Sequence, residues 1–444
     1  MVIFNSILLL VLDFYIYKGL RATKLAFPKT RFFARVWWGY SVLLVASVFI
    51  SIYFNIPLAF RSIILVAFFM TFVSKFIFAL ILGLDDLRRG GVWLQRILFR
   101  LGGKVFSRTQ DGKTDSSAAA QAPVIEAADK PLPERPVKGI SRSEFLTKAG
   151  IVVAAAPLMP LSWGIISGAY NYKIRRQKIY LPNLPAAFDG IRIGQVSDIH
   201  SGSFYNKKAV TGGVELLLAE KPDIVLFTGD LVNNLSNELR DYQDIFSKVK
   251  APLGVYSVLG NHDYGDYHFG RESSPAKDKN LADLIDAQRI MGWDLLLNEH
   301  RTIRVGNEEI AIVGVENWGT GRFPKHGDLG AALQGTEDIP VKLLLSHDPS
   351  HWRAQVLPQS DVDVTFSGHT HGMQFGVRTE HLKWSPVQYI YKEWAGLYRE
   401  QNQQLYVNTG FGFLGYPGRV GILPEITIFE LIRGTQPERS SRKS

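Results

Sequence analysis

The distribution of apolar residues divides the chain into two parts of different character. Apolar runs cover Val2–Tyr17, Val36–Phe60, Ser62–Leu84 and Ala149–Tyr170. A helix needs roughly 20 such residues to cross a bilayer, so we predict four transmembrane helices. A buried core helix is the alternative for each run. This alternative is strongest for the first run, Val2–Tyr17, because that run is short and interrupted by Asp13.

Two further segments separate the third and fourth runs. Val92–Phe106 places cations among Trp, Leu, Ile and Phe at helical spacing, which predicts a helix in the membrane interface. The next stretch is rich in Ala, Pro, Asp and Lys and predicts a flexible linker. Ser141–Lys148 resembles a twin-arginine export signal with Ser143 at the second arginine, and an ordinary helix cap is the alternative. The predicted regions are 1–106 (membrane), 107–140 (linker), 141–178 (fourth helix or signal anchor), 179–433 (catalytic domain) and 434–444 (disordered tail).

After residue 179 the apolar runs become short and rich in β-branched residues. Turn-rich or helix-compatible stretches separate them, which predicts a layered α/β domain. Ligands and catalytic groups in such domains lie at the strand ends. The five predicted strands nearest the candidate chemistry are Ile191–Val196, Ile224–Thr228, Val255–Leu259, Val341–Leu345 and Val362–Phe366.

Five polar patches follow these strands and hold five of the ten histidines. Two aspartates, an asparagine and four histidines in them suit Mn, Fe, Zn or Co, and the chain has no cysteine. Seven ligands are too many for one tetrahedral ion but suffice for two if a carboxylate bridges them. The patches are Asp198-Ile199-His200, Gly229-Asp230, Gly260-Asn261-His262-Asp263, Ser346-His347-Asp348 and Gly368-His369-Thr370-His371.

The ordered set D-x-H, G-D, G-N-H-D, H and G-H-T-H resembles the calcineurin-like metallophosphoesterase superfamily, in its membrane-anchored bacterial branch, over Tyr180–Leu431. The resemblance implies a four-layer αββα sandwich and two divalent metal ions. It also implies hydrolysis of a phosphoester by a metal-bound hydroxide. Asp198, His200 and His371 would bind one ion and Asn261, His347 and His369 the other, with Asp230 bridging; His262 would donate to the phosphoryl oxygen or leaving group, held by Asp263.

One position departs from the family pattern, and other residues are candidates for the substrate pocket. Relatives usually carry Gly-Gly-Gln after the last histidine, whereas this chain has Gly372-Met373-Gln374. Met373 is expected to reshape the substrate side. Asn317 and Arg419 are predicted substrate residues, with Arg419 available to a phosphate. Plain core or turn roles are their alternative.

The charge distribution predicts membrane topology. Residues 1–178 hold 24 Lys and Arg against 9 Asp and Glu, a net +15; since the whole chain is +9, the remainder is −6. Nucleic acid is therefore not an expected partner. Cations cluster in Lys18–Arg35 and Arg88–Lys104, and positive loops stay cytoplasmic. With four spans, the catalytic domain is predicted outside the cytoplasm, although Lys173–Lys178 argues the opposite.

The sequence leaves three functions open. The first is a multi-pass membrane phosphoesterase acting on phosphoester or pyrophosphate bonds, with lipid or lipid-linked substrates expected from the anchor. The second is a non-catalytic scaffold of the same fold, although such scaffolds lose ligands and none is missing here. The third is a transporter or sensor with a regulatory soluble domain.

Overall fold

The structure, a computed structural model, describes residues 2–23, 25–54, 56, 58–106, 142–379 and 382–436. It divides into two compact units, Met1–Met159 and Pro160–Ser444. The predicted linker 107–140 lies outside the described residues, as do residues 437–444 of the predicted tail.

The first unit is helical. Four segments are long and apolar enough to cross a membrane, as predicted: Ile3–Arg21, Arg31–Tyr53, Ile63–Ile97 and Thr147–Tyr170. The second predicted run extended to Phe60, but its helix ends at Tyr53. The third predicted span and the interfacial segment belong to one continuous helix. The helices are α1 (Val2–Arg21), α2 (Arg31–Tyr53), α3 (Leu58–Phe106) and α4 (Arg142–Ala155).

Asp13, the residue that weakened the first predicted span, is buried between helices. Its carboxylate pairs with the ammonium of Lys75 from α3. Lys75 Nζ also donates to Ser41 Oγ of α2 at 3.3 Å and lies 4.9 Å from the centre of the Trp37 ring. A charge inside a membrane helix is tolerated when it is paired in the bundle interior. The pair therefore joins α1, α2 and α3.

The second unit is an α/β domain, which confirms the predicted fold class. Its helices are α5 (Leu158–Ile166), α6 (Lys207–Ala219), α7 (Gln243–Phe246), α8 (Asp266–Phe269), α9 (Pro275–Met291), α10 (Leu329–Leu333) and α11 (Leu357–Gln359). Its strands are β1 (Lys173–Leu181), β2 (Arg192–Val196), β3 (Ile224–Phe227), β4 (Val255–Ser257), β5 (Asp294–Leu295), β6 (Glu299–Val305), β7 (Glu308–Gly314), β8 (Lys342–Leu345), β9 (Val364–Ser367), β10 (Val377–Arg378), β11 (Lys383–Trp384), β12 (Gly396–Glu400), β13 (Gln403–Val407) and β14 (Glu425–Arg433).

Two six-stranded sheets form the centre of this unit. Their strand orders are β1-β14-β2-β3-β4-β5 and β12-β13-β9-β8-β7-β6. One apolar core contains residues of both sheets, including Ile193, Leu226, Ile312 and Phe366. Helices α6, α7 and α9 cover the outer face of the first sheet, and α10 contributes to the core on the outer face of the second. This is the four-layer arrangement that the resemblance implied.

The central strands are buried on both faces, which explains their continuous apolar sequences. Every residue of β3, β8 and β9 is buried. All five strands predicted beside the polar patches are present, with ends shifted by one or two residues.

The predicted domain boundary differs from the division into compact units. It fell between residues 178 and 179, which is inside β1. Strand β1 pairs in parallel with β14 along its whole length, from Lys173 with Glu425 to Leu181 with Arg433. The compact unit begins earlier, at Pro160. The α/β unit thus begins within the last candidate membrane segment, Thr147–Tyr170.

Candidate metal centre

The five polar patches meet at one edge of the two sheets. Each patch follows the carboxyl end of a parallel strand: β2, β3 and β4 in the first sheet, β8 and β9 in the second. These ends lie side by side, so distant parts of the chain converge. Two groups of potential metal ligands result.

The first group contains Asp198, His200 and His371, all buried. The Nε2 atoms of His200 and His371 are 3.0 Å apart, and His371 Nε2 lies 3.2 Å from Asp198 Oδ1. Three donor atoms therefore point toward one small volume.

The second group contains Asp230, His347 and His369. His347 Nε2 lies 3.1 Å from Asp230 Oδ2 and 3.3 Å from His369 Nδ1. The same oxygen of Asp230 is 3.5 Å from His200 Nε2, which belongs to the first group. Asp230 is thus positioned between the groups, as a bridging ligand requires.

Asn261 supplies an independent test of the metal assignment. Its side chain is buried, and its Oδ1 has no hydrogen-bond partner among the described residues, while its Nδ2 donates to Tyr267 Oη at 3.3 Å. A buried carbonyl oxygen without a partner is costly. A cation would satisfy it, so the residues present fit a divalent metal.

Hydrogen bonds to the opposite ring nitrogens orient two of the imidazoles. His347 Nδ1 lies 2.7 Å from the carbonyl oxygen of Thr228, which leaves Nε2 free for the site. His369 Nε2 lies 2.8 Å from Tyr391 Oη and 3.7 Å from Asp348 Oδ2, which leaves Nδ1 free. Such partners fix the ring orientation of metal-ligating histidines.

The backbone of the site is held in an uncommon conformation. Five of the seven predicted ligands have positive φ: Asp198 (52°), His200 (48°), Asp230 (60°), His369 (70°) and His371 (50°). Such values cost energy in non-glycine residues and persist where the surrounding structure fixes them, often at functional sites. Close approach also explains why the last patch begins with glycine, because a Cβ at Gly368 would lie 1.9 Å from Ser197 Oγ.

Asp263 organises the loops rather than His262. Its buried carboxylate accepts four backbone N–H groups, from Gly260 and Asp230 at 2.9 Å, Leu231 at 2.8 Å and Val232 at 3.2 Å. These bonds join the loop after β3 to the loop after β4. The expectation that Asp263 holds His262 is therefore corrected.

His262 is oriented by a different group. Its Nδ1 lies 2.7 Å from the carbonyl oxygen of Asn233, and its ring stacks on Tyr267 with centroids 4.6 Å apart. The ring of His200 is 4.9 Å away, edge to face. His262 therefore lies beside the first ligand group with Nε2 unused by these contacts.

The charges of the site are strongly coupled. Burial disfavours the Asp230 carboxylate, but His347 and His262 outweigh burial and hold the pKa of Asp230 well below its usual range. Burial also disfavours the imidazolium of His347, yet Asp230 raises the pKa of His347 to about 10. Burial lowers the pKa of His200 well below its usual value. A metal that binds His347 must displace a proton, so acid opposes metal binding.

The two predicted substrate residues differ in outcome. Arg419 is buried, and its guanidinium donates to the carbonyl oxygen of Gly412 and, at 3.4 Å, to those of His371 and Ile422. It supports the His371 loop and is not free to bind a phosphate, which corrects the prediction. Asn317 is also buried, but its Oδ1 lacks a hydrogen-bond partner among the described residues, so it stays a candidate.

Sequence reasoning missed several supporting groups. Tyr391 and Asp348 face His369, Tyr267 contacts Asn261 and His262, and Asn233 contributes only its carbonyl oxygen. Asp348 stands in the same polar patch as His347, but the sequence analysis gave it no role of its own. A backbone carbonyl leaves no residue-specific signal.

Comparison with known families agrees with this geometry. Residues 191–373 match the family model described as "Calcineurin-like phosphoesterase", and residues 1–169 match "Probable Calcineurin-like phosphoesterase, transmembrane domain". The chain belongs to the calcineurin-like metallophosphoesterase superfamily, and it is a membrane protein of that family. The family supports a metal-dependent hydrolase, because its members typically bind divalent metals.

Individual relatives are more distant. A transmembrane protein with a metallophosphoesterase domain from Danio rerio is 29% identical over 274 residues, covering 60% of this chain and 58% of the relative. The metallophosphoesterase YkuE of Bacillus subtilis (strain 168) is 27% identical over 309 residues, covering 66% and 99%. A Bos taurus relative of the first kind is 25% identical over 269 residues, covering 60% and 58%. The match thus spans little more than half the length of the two vertebrate proteins.

Proposed function

We propose that this protein is a membrane-anchored phosphoesterase with two divalent metal ions, hydrolysing phosphoester or pyrophosphate bonds. The observation that carries the proposal is the position of Asp230 Oδ2, between His347 Nε2 and His200 Nε2 of the two ligand groups. A complete ligand set argues against a non-catalytic scaffold or a purely regulatory domain.

Each residue has a separate task in this proposal. Asp198, His200 and His371 would hold one ion, and Asn261, His347 and His369 the other, with Asp230 shared between them. Mn, Zn or Fe suits these ligands. When bound, the ions would activate the attacking water and neutralise charge on the phosphoryl group.

His262 would act on the substrate rather than on the metals. The carbonyl oxygen of Asn233 accepts from Nδ1–H, so the tautomer leaves Nε2 to face the reacting phosphoester. As an imidazolium, with a proton on each ring nitrogen, it would pass the Nε2 proton to the leaving oxygen and return to the neutral Nδ1–H form. Tyr267 keeps the ring in place by stacking.

A lipid or lipid-linked phosphoester is the proposed substrate class. Helix α5 belongs to the last candidate membrane segment, and β1 begins only seven residues after α5 ends, at Lys173. The catalytic unit would therefore stay close to the bilayer surface, where such substrates are concentrated.

The proposed topology places four spans in the membrane and the catalytic unit outside the cytoplasm. The cation-rich segments Lys18–Arg35 and Arg88–Lys104, at the ends of the candidate spans, support it. Ile290→Cys in this cysteine-free chain would add one exposed thiol, since Ile290 is 70% exposed. Labelling of intact cells by a membrane-impermeant thiol reagent supports the topology. Labelling only after the cytoplasmic membrane is permeabilised would reverse it.

Hydrolysis tests the proposed activity. The full chain in detergent should hydrolyse a chromogenic phosphodiester in the presence of Mn, lose activity with a chelator and regain it when Mn is returned. Asp230→Asn should be nearly inactive, because one residue serves both ions. The wild-type chain is also compared with Asp230→Asn on a phosphodiester, a phosphomonoester and pyrophosphate. If it binds Mn but hydrolyses none of the three faster than the variant, the result would support a non-catalytic scaffold instead.

A further inference from the structure

Exposed apolar side chains are concentrated in one short stretch of the catalytic unit. Seven large ones lie between residues 373 and 390, and we refer to them as the 373–390 surface. Soluble surfaces rarely keep so many together unless they contact another apolar phase. The members are Met373, Phe375, Val377, Leu382, Trp384, Tyr389 and Ile390.

The backbone of this surface is anchored, so the exposure is built into the fold. Val420 N–H donates to the Gln374 carbonyl at 2.7 Å, and Gly376 N–H donates to the Val420 carbonyl at 2.9 Å. Strands β10 and β11 pair antiparallel within it. Ser385 Oγ donates to the Gly372 carbonyl at 2.7 Å. These bonds hold the apolar side chains outward.

The same anchor connects the surface to α5. Arg419, next to Val420, donates its N–H to the carbonyl oxygen of Gly164 in α5 at 3.1 Å. Other side chains of this helix, Trp163 and Ile166, are 67% and 79% exposed. Since α5 belongs to a candidate membrane segment, Val420 and Arg419 connect the surface to the part of the unit that would enter the bilayer.

The surface also adjoins the metal centre. Met373 follows the proposed ligand His371 by two residues, and Tyr391, next to Ile390, lies 2.8 Å from His369 Nε2. No charged residue occurs from Trp384 to Tyr391. Trp and Tyr are the residues preferred at the boundary between headgroups and acyl chains.

We propose that the 373–390 surface lies in the headgroup and acyl boundary of the bilayer that α5 enters. The occupant is lipid for three reasons. Val420 and Arg419 connect the surface to α5, and no charged residue occurs from Trp384 to Tyr391. The surface also contains Trp and Tyr, the residue types preferred at the membrane interface. If the proposed function also holds, a substrate phosphate with an acyl or prenyl chain in that bilayer would reach the metals without leaving the membrane. This consequence rests on the proposed function, whereas the lipid contact does not.

A matched pair of single-cysteine variants tests the contact in the full chain. Ile390→Cys probes the surface, and Ile290→Cys is the control, because the two isoleucines are 66% and 70% exposed. Ile290 is near the end of α9, which leads into β5, so it lies toward the sheet edge opposite the metal centre. Each variant carries an environment-sensitive fluorophore and is reconstituted in phosphatidylcholine nanodiscs, with or without doxyl-labelled phosphatidylcholine.

Lipid contact predicts that the doxyl lipids quench the fluorophore at 390 and leave the one at 290 unchanged. Aqueous iodide should quench in the opposite order. Absence of doxyl quenching at 390, or equal doxyl quenching at both positions, would overturn the proposal. Protection of position 390 from both quenchers would also overturn it, since a protein surface would then cover it. None of these signals requires hydrolysis, so a failure here is separate from a failure of the proposed function.

Discussion

The carboxylate of Asp263 accepts the backbone N–H of Asp230 at 2.9 Å, so a residue outside the ligand set fixes the residue proposed to bridge the two ions. The same carboxylate accepts three more backbone N–H groups, from Gly260, Leu231 and Val232. Burial and the neighbouring Asp230 raise the pKa of Asp263 to about 7, so the four N–H groups are what favour its carboxylate form. Asp263 therefore determines how the loops after β3 and β4 face each other.

Replacing Asp263 should affect metal binding although it binds no metal itself. Asp263→Ala leaves four buried N–H groups without their acceptor, at a cost on the order of 3 kcal/mol. We expect a lower unfolding temperature and a lower metal content in the purified full chain. Thermal unfolding and metal analysis measure the two effects. A variant with normal metal content and reduced turnover would restore the original idea that Asp263 serves His262.

His262→Ala should behave in the opposite manner. The ring contacts Asn233 and Tyr267 and is absent from both ligand groups, so metal content should stay near that of the wild type. Turnover of a phosphodiester with a poor leaving group should fall by roughly 10²–10⁴, the scale of a missing general acid. A good leaving group needs no proton and should be affected less. Asp230→Asn is expected to weaken the binding of both ions. If His262→Ala removes metal to the same extent, His262 is a metal ligand and its proposed role as a proton donor is wrong.

Glu425 should make the stability of the α/β unit sensitive to acid. Burial disfavours its carboxylate, but Arg378, Arg175 and a hydrogen bond from Tyr406 outweigh burial and lower the pKa of Glu425 from 4.5 to about 2. A depressed folded-state pKa stabilises the protein above the unfolded value, and that contribution is lost as pH falls from about 4.5 toward 2.

Comparison of two glutamine variants checks this pH dependence. Glu425→Gln should lower the unfolding temperature at neutral pH, and it should flatten the decline of that temperature between about pH 4.5 and 2. Glu430→Gln is the control, because Glu430 is on the same strand and its side chain is 44% exposed. Equal acid sensitivity of wild type and Glu425→Gln would show that other groups dominate.

The start of the α/β unit can be tested by truncation. A chain beginning at Pro160 keeps β1 and the contacts of α5, including Tyr205 Oη to the Ile165 carbonyl at 3.0 Å. A chain beginning at residue 179 loses six of the nine β1 residues and exposes one edge of β14. In the same detergent, we expect the first to elute as a discrete species and the second to aggregate. Equal behaviour would place the boundary where the sequence suggested.

The sequence predicted what depends on residue type and local pattern. Strands buried on both faces gave apolar runs, and the predicted ligands, from Asp198 to His371, followed these runs as His, Asp and Asn in short polar patches. It could not predict relationships between distant backbone groups. Asp263 accepts hydrogen bonds from backbone N–H groups, and Arg419 donates to backbone carbonyl oxygens. Every residue has a backbone carbonyl and nearly every residue has an N–H, so the sequence does not show which ones are the partners. The pairing of β1 with β14 joins residues about 250 positions apart and was missed for the same reason.

Hydrolysis as a function of bound Mn tests the central claim most directly. The full chain, stripped of metal and titrated with Mn, is assayed with a chromogenic phosphodiester while bound metal is counted on the same sample. The proposed centre predicts about two ions per chain and a rate that follows their occupancy. Two results would contradict the account. The chain would bind two ions yet hydrolyse the substrate no faster than the Asp230→Asn variant, or it would hydrolyse the substrate equally fast without any ion.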